Sequence, residues 1–373
     1  MPANIGLIIN FGRSKIAGEM MEMLEIQIEK IAESKLAQVD FENLPFGKIF
    51  SDHMYAMEYI DGTWKNAKIL PYQKLQISPA NSTLHYGQTI FEGLKAYKAE
   101  DGKILVFRPE ANLERMNRSA ERMCMPKIPR ELFMEGLKKL IELDRAWVPN
   151  KEGQTLYIRP FMYATDEFIG IRPSDTYRFI IFTCPVANYY NKPVRVKIEE
   201  HYARAGQGGL GFAKTAANYA ASLFPAKKAQ QQGYDQLIWT NSGSHEYIEE
   251  SGTMNVMFRI GDKLITPESN DSILQSITRM SVVEVAKSWG YTVEERKVSV
   301  KEVIEAIKAG TLTEAFGLGT AATVAHIQTI NYKDVDYDLP AIEGREFSNK
   351  VSDYLMRYKR GLEPDVFGWN MVL

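Results

Sequence analysis

Lys214 stands among residues with little bulk. Gly206, Gly208, Gly209 and Gly211 lead up to it, and Thr215, Ala216 and Ala217 follow, before Asn218 and Tyr219. A large group has room to lie against its amine, and two chemistries use such a lysine. One is phosphate capture. Gly208-Gly-Leu-Gly-Phe-Ala-Lys-Thr215 misses the G-x-x-x-x-G-K-[ST] pattern by one residue, Ala213 where Gly is required. That loop wraps backbone amides around phosphates, and a Cβ obstructs the wrap. The preceding Lys197 to Arg204 is too polar for the buried strand that such a loop follows. The other chemistry is a Schiff base with an aldehyde cofactor, pyridoxal phosphate. It also needs a carboxylate for the pyridinium nitrogen, a hydroxyl near the ring O3′ and a phosphate cup. A surface lysine in a flexible loop is the plain alternative.

The later chain supplies candidates for each part. Glu249 and Glu250 are adjacent, and in a strand they face opposite sides, so only one of them can meet the ring. A helix N-terminus suits a phosphate, because its free N–H groups and its dipole favour an anion. Ser276-Ile277-Thr278 opens an expected helix and offers amides and hydroxyls, and Thr320 adds a hydroxyl on a turn. Tyr219 and Arg115 each have an ordinary alternative, a core tyrosine and a solvated arginine.

Three stretches together carry a resemblance. They are Lys214-Thr-Ala-Ala-Asn-Tyr219, Glu250-Ser-Gly-Thr-Met-Asn255 and Leu84-His-Tyr-Gly-Gln-Thr-Ile-Phe-Glu-Gly-Leu-Lys-Ala-Tyr97. From about Phe46 onward the chain resembles the branched-chain amino-acid aminotransferases, fold-type IV pyridoxal phosphate enzymes. The resemblance implies an α+β protein of two domains, a small α/β sheet domain and a larger pseudo-barrel domain, as in D-amino-acid aminotransferase. It implies that Lys214 carries the cofactor and is the catalytic residue. It selects Glu250 over Glu249, aligns Arg115 and Thr320 with phosphate-binding positions beside Ile277 and Thr278, and gives Tyr219 to the ring O3′. It places Phe46, Tyr86, Phe91, Tyr157 and Ile171 around a substrate pocket, Tyr86 and Ile171 being lent across a homodimer interface. Thr253, Thr320 and Ala321 would hold the substrate α-carboxylate.

The implied reaction is reversible, ping-pong transfer of the amino group of leucine, isoleucine or valine to 2-oxoglutarate. Such an enzyme takes an apolar side chain in one half-reaction and a carboxylate in the other. An arginine at the pocket rim reconciles the two. Arg159 lies two residues from Tyr157 on an alternating strand, so both point to one face; a structural arginine bridging strands is the alternative. D-amino-acid aminotransferase and aminodeoxychorismate lyase share the fold and are the rival activities. The chain departs from the family at Gln275-Ser276, where Pro-Gly is usual, and at Ala216-Ala217, where Gly-Gly is common. Some members carry a Cys-x-x-Cys redox pair where this chain has Ala322-Thr-Val-Ala325, so no thiol switch of that kind is expected.

Composition agrees with a globular enzyme. The 373 residues are 45% hydrophobic and 25% charged, which allows one or two domains with ample core. A net charge of −2 leaves no electrostatic footprint for nucleic acid or anionic lipid. Two cysteines point to a reducing compartment, and five histidines without ligand spacing to no metal site. No apolar run reaches the ~18 residues of a membrane span. The short apolar patch at 5–9 precedes its positive charges, unlike a secretory signal, so the cytoplasm is the default.

Periodicity divides the chain into a leader with one helix (1–45), a small domain (46–185), a Pro- and Asn-rich loop (186–195) and a large cofactor-binding domain (196–373). Expected helices include 22–39, one from Pro109, one from Pro129, 216–232 with a kink or break at Pro225, 277–289, 300–309 and 345–360. Asp61-Gly62, Asp101-Gly102 and Gly261-Asp262 read as hairpin turns. Phe91 to Tyr97 reads as a strand, and Phe316 to Ala322 as a tight glycine turn.

Overall fold

The computed structural model of the chain describes residues 25–187 and 192–373. Most of the expected leader (1–24) and the middle of the expected interdomain loop (188–191) lie outside the described residues.

Among the described residues, one sheet has nine strands, in the order Gln27–Ile28, Thr63–Pro71, His53–Ile60, Tyr177–Val186, Thr155–Ala164, Leu94–Lys98, Ile104–Phe107 and Asn370–Val372, with Thr89–Phe91 added against Thr155–Ala164. Asp61 (φ 53°) and Gly62 (φ 76°) turn its first hairpin. Two left-handed residues in succession match the right-handed twist of the flanking strands. The helices Pro109–Arg122 and Arg130–Leu143 cover this sheet. Leu113, Met116 and Ala120 of the first, with Phe133, Leu137, Leu140 and Ile141 of the second, join Tyr55, Met57 and Phe179 of the strands in one core.

The second sheet has ten strands among the described residues and curls into a half-barrel. Its order is Thr292–Glu295, Lys263–Thr266, Asn255–Ile260, Leu312–Gly319, Thr323–Tyr332, Val194–Ile198, Gln236–Thr240, Tyr247–Ser251 and Val298–Ser299, with Val335–Asp338 added against Thr323–Tyr332. The helices Ala216–Gln231, Ile277–Ser288, Val300–Lys308 and Glu346–Lys359 complete this half. Ser299 caps Val300–Lys308 by accepting from the Glu302 N–H. The architecture is the α+β fold-type IV arrangement that the sequence led one to expect.

Four local expectations need correction. Residues 25–39 form no α-helix. Gln27–Ile28 instead pairs in parallel with Lys68 and Ile69, and Leu36–Gln38 is a short 3-10 turn. Here tertiary contacts override a weak helical pattern: Ile26 enters the core, the Ile31 N–H donates to His53 Nε2, and Ser34 and Lys35 bond Asp52. Second, the strand expected over Phe91–Tyr97 breaks at Glu92-Gly93, because Glu92 turns inward to an arginine. Third, of the kink or break expected at Pro225 the break does not occur: Ala216–Gln231 is one helix with a buried Pro225 inside it. Fourth, Phe316–Gly319 is strand, and the turn is Thr320–Ala322. The glycines make room for packing, since a Cβ on Gly317 would come within 2.7 Å of Met254 Cε. The chain also ends in a strand that the sequence reading missed, Asn370–Val372, which returns to Ile104–Phe107.

Candidate active site

Both halves of the molecule wall a cavity of about 230 Å³. The first sheet and its helices supply Phe91, Gly93, Arg115, Tyr157 and Arg159, with Phe46 from the preceding loop. The second half supplies Lys214, Tyr219, Glu250, Thr253, Thr320 and Ala321.

Lys214 ends the glycine-rich loop just before helix Ala216–Gln231, so the helix fixes its position. Its backbone is also stapled to the other half. The Lys214 N–H donates to Ser119 Oγ at 2.9 Å, its carbonyl accepts from the Phe91 N–H at 3.0 Å, and Thr215 Oγ1 donates to the Thr89 carbonyl at 2.8 Å. Its amine donates at 2.7 Å to the hydroxyl of Tyr219, which lies on the first turn of that helix. The phosphate-loop reading fails on this geometry. Val194–Ile198 ends well before the loop, and the lysine points into the cavity rather than along the loop's amides.

Glu249 and Glu250 lie on strand Tyr247–Ser251 and diverge as alternation requires. Glu250 enters the Lys214 cavity, whereas Glu249 turns to a different hollow and bonds Ser272. Glu250 is buried, accepts from the Leu274 N–H at 2.5 Å and meets Arg204 at 3.2 Å. Burial raises its carboxyl above the usual range, while Arg204 and the Leu274 N–H pull the other way. A carboxylate in that position gains from a cationic partner in the cavity.

Arg115 is buried on helix Pro109–Arg122 and forms a paired ion bridge to Glu92, with both contacts at 2.7 Å. It also donates to the Gln275 carbonyl at 2.9 Å. Burial works to raise the Glu92 carboxyl, but the Arg115 guanidinium, Lys214 and Asn112 together hold the group below its ordinary range. Guanidinium carries five N–H donors, so the remaining ones are free for an anion. Across the cavity, Ser276 caps helix Ile277–Ser288. Its hydroxyl is committed, accepting from the Arg279 N–H and donating to the Leu318 carbonyl. Ile277 and Thr278 are buried on the first turn and do not line the cavity with their side chains. What they offer is backbone N–H groups that meet no protein acceptor among the described residues.

On the opposite side, Phe46 packs edge-on to Tyr157 with centroids 5.3 Å apart, and Phe91 lies 4.8 Å from Tyr219. Arg159 donates to the Tyr157 hydroxyl at 3.0 Å, and its guanidinium rests 4.8 Å from the Phe91 ring. Its Nε is buried without a partner among the described residues. Tyr86 and Ile171 stand apart from this constellation. They are 41% and 93% exposed and do not wall the cavity of their own chain.

A family model for class IV amino-transferases matches residues 89–330. The branched-chain-amino-acid aminotransferase 2 of Bacillus subtilis (strain 168) is 44% identical over 348 residues, covering 92% of this chain and 96% of that protein. The chain belongs to the class IV aminotransferases. Solved structures share its fold. The branched-chain aminotransferase of Thermoproteus uzoniensis with norvaline superposes with a TM-score of 0.71 at 24% identity, covering 86% of this chain and 99% of its own. The holo-form of the Thermobaculum terrenum enzyme superposes with a TM-score of 0.67 at 22% identity, covering 85% and 97%.

Several site residues were not found from sequence. Gly93, Asn255, Leu274 and Leu318 of the wall, and Glu92 and Arg204 behind it, which hold Arg115 and Glu250, have no type or spacing that marks them, apart from the Glu-Gly pair interrupting an apolar strand. Gly93 is there for space, since a Cβ would fall 2.1 Å from the Tyr157 hydroxyl. Gly93→Ala should therefore push Tyr157 aside and raise the substrate KM about tenfold, the order expected of overpacking. Cofactor content should stay normal, and paired measurements of KM and bound cofactor check this.

Proposed function

We propose that the chain is a pyridoxal phosphate-dependent transaminase. It exchanges amino groups between leucine, isoleucine or valine and 2-oxoglutarate, and works as a homodimer in the cytoplasm. No helix among the described residues is long and apolar enough to cross a membrane. The donor set suits the cofactor: a lysine amine, a buried carboxylate, a hydroxyl and an arginine around one cavity, with the first turn of helix Ile277–Ser288 starting behind its wall residue Ser276. Lys214 would hold its aldehyde carbon, Glu250 its ring nitrogen, Tyr219 its O3′, and Arg115, Ile277, Thr278 and Thr320 its phosphate. When bound, pyridoxal phosphate draws electrons from the substrate Cα and so makes that carbon acidic. The Lys214 amine would serve as the general base that takes the substrate Cα proton and as the general acid that gives it back. Thr253, Thr320 and Ala321 hold the α-carboxylate. Tyr86 and Ile171 of one subunit close the pocket of the other, which accounts for their exposure in the single chain.

The observation that carries the substrate assignment is Arg159, laid on aromatic rings and tied to the Tyr157 hydroxyl. An apolar wall alone rejects glutamate, because an unpaired buried carboxylate is costly. A free arginine in mid-pocket rejects leucine for the same reason. A guanidinium resting on π faces and bonded to a tyrosine hydroxyl accepts either substrate. Arg159→Met should weaken glutamate and 2-oxoglutarate by about 2–5 kcal/mol, the scale of losing a buried charge partner. Leucine, followed as a single half-reaction, should change much less. Equal losses for both would assign Arg159 a structural role and remove the basis for dual recognition.

A further inference from the structure

A second cavity, of about 210 Å³, lies behind the Thr320–Ala322 turn. Lys95, His326, Lys359 and Arg360 line it, and no Asp or Glu does. Lys95 is 8% exposed and Lys359 3%. Lysines this deep are rare unless paired. Yet among the described residues Lys95 has only the Ala321 carbonyl, at 2.7 Å, and Lys359 only Thr323 Oγ1, at 2.9 Å, and the Phe107 ring. Among the described residues neither forms an ion pair. An ammonium has three donors, so each lysine keeps donors to spare. His326 adds an independent sign, because its Nδ1 is buried without a hydrogen-bond partner among the described residues.

Packing does not account for this arrangement, since two buried ammonium groups repel each other. Burial pushes Lys95 down to about 8, and burial together with Lys95 pushes Lys359 down to about 7. We propose that this cavity binds a compact oxyanion, a carboxylate or a phosphate. Such an occupant supplies the acceptors that the wall lacks and cancels the repulsion. Ala321 also lines the candidate active site, so an occupant that draws on the Lys95 donors bears directly on the turn between the two cavities.

Equilibrium dialysis tests this with the cofactor-loaded protein, labelled inorganic phosphate in one arm and labelled malonate in the other, at constant ionic strength. Saturable binding of at least one probe is expected, and the tighter probe identifies the source. Lys359→Met should weaken it by about tenfold or more, the order of losing a charge partner, while Lys359→Arg should keep it. His326→Phe leaves both lysines in place, fills the cavity, and should also lose binding. No saturable binding of either probe overturns the proposal. Binding that survives unchanged in both Lys359→Met and His326→Phe overturns it as well, because the anion then sits elsewhere.

Discussion

Lys214→Ala should lower turnover about 10⁵-fold or more, a barrier increase of ~7 kcal/mol. The size follows from two roles lost together, cofactor attachment and proton transfer at the substrate Cα. The backbone staples of Lys214 to Ser119 and Phe91 do not involve its side chain, so the fold should survive. The phosphate site is untouched, so the variant should still take up cofactor, though weakly. Steady-state rates and a cofactor titration measure both effects. Turnover near normal would remove Lys214 from the chemistry.

Glu250→Gln should cost about 10³–10⁴ in kcat, ~4–5 kcal/mol, because a neutral amide cannot hold a proton on the ring nitrogen. Glu249→Gln should cost little by comparison. The contrast is strict, because the two residues are neighbours of one chemical type, both buried on one strand. Only Glu250 shares the cavity with Lys214; Glu249 bonds Ser272 in another. A reversal of the two costs would put the carboxylate one residue out of register. The Glu250 variant should also show an altered cofactor absorbance, and a mere loss of packing would not produce that.

The secondary structure was legible wherever one local rule dominated. Pro109 and Pro129 marked helix starts, Ser299 a cap, and Asp61-Gly62 a hairpin, because each acts on backbone within three residues of itself. Residues 25–39 misled because a loose apolar spacing was outweighed by pairing with strand Thr63–Pro71. The glycines at 317 and 319 misled because they accommodate Met254, a residue far off in sequence.

The site divides in the same way. Strand alternation put Tyr157 and Arg159 on one face, while the resemblance selected Glu250 over Glu249 and set Tyr219 beside Lys214, and the structure brings all five to one cavity. Residues that act through long-range contacts were invisible. Glu92 matters because it meets Arg115, and Arg204 because it meets Glu250. Tyr86 and Ile171, named by the resemblance alone, lie outside the cavity of their own chain.

The claim on which the rest depends is that the Lys214 amine carries the cofactor. Borohydride reduction of the cofactor-loaded enzyme, followed by proteolysis and mass mapping, tests it most directly. The expected result is one pyridoxyl adduct, on the peptide that contains Lys214, formed with loss of the yellow colour. An adduct on another lysine, or none at all on a fully loaded enzyme, would contradict it.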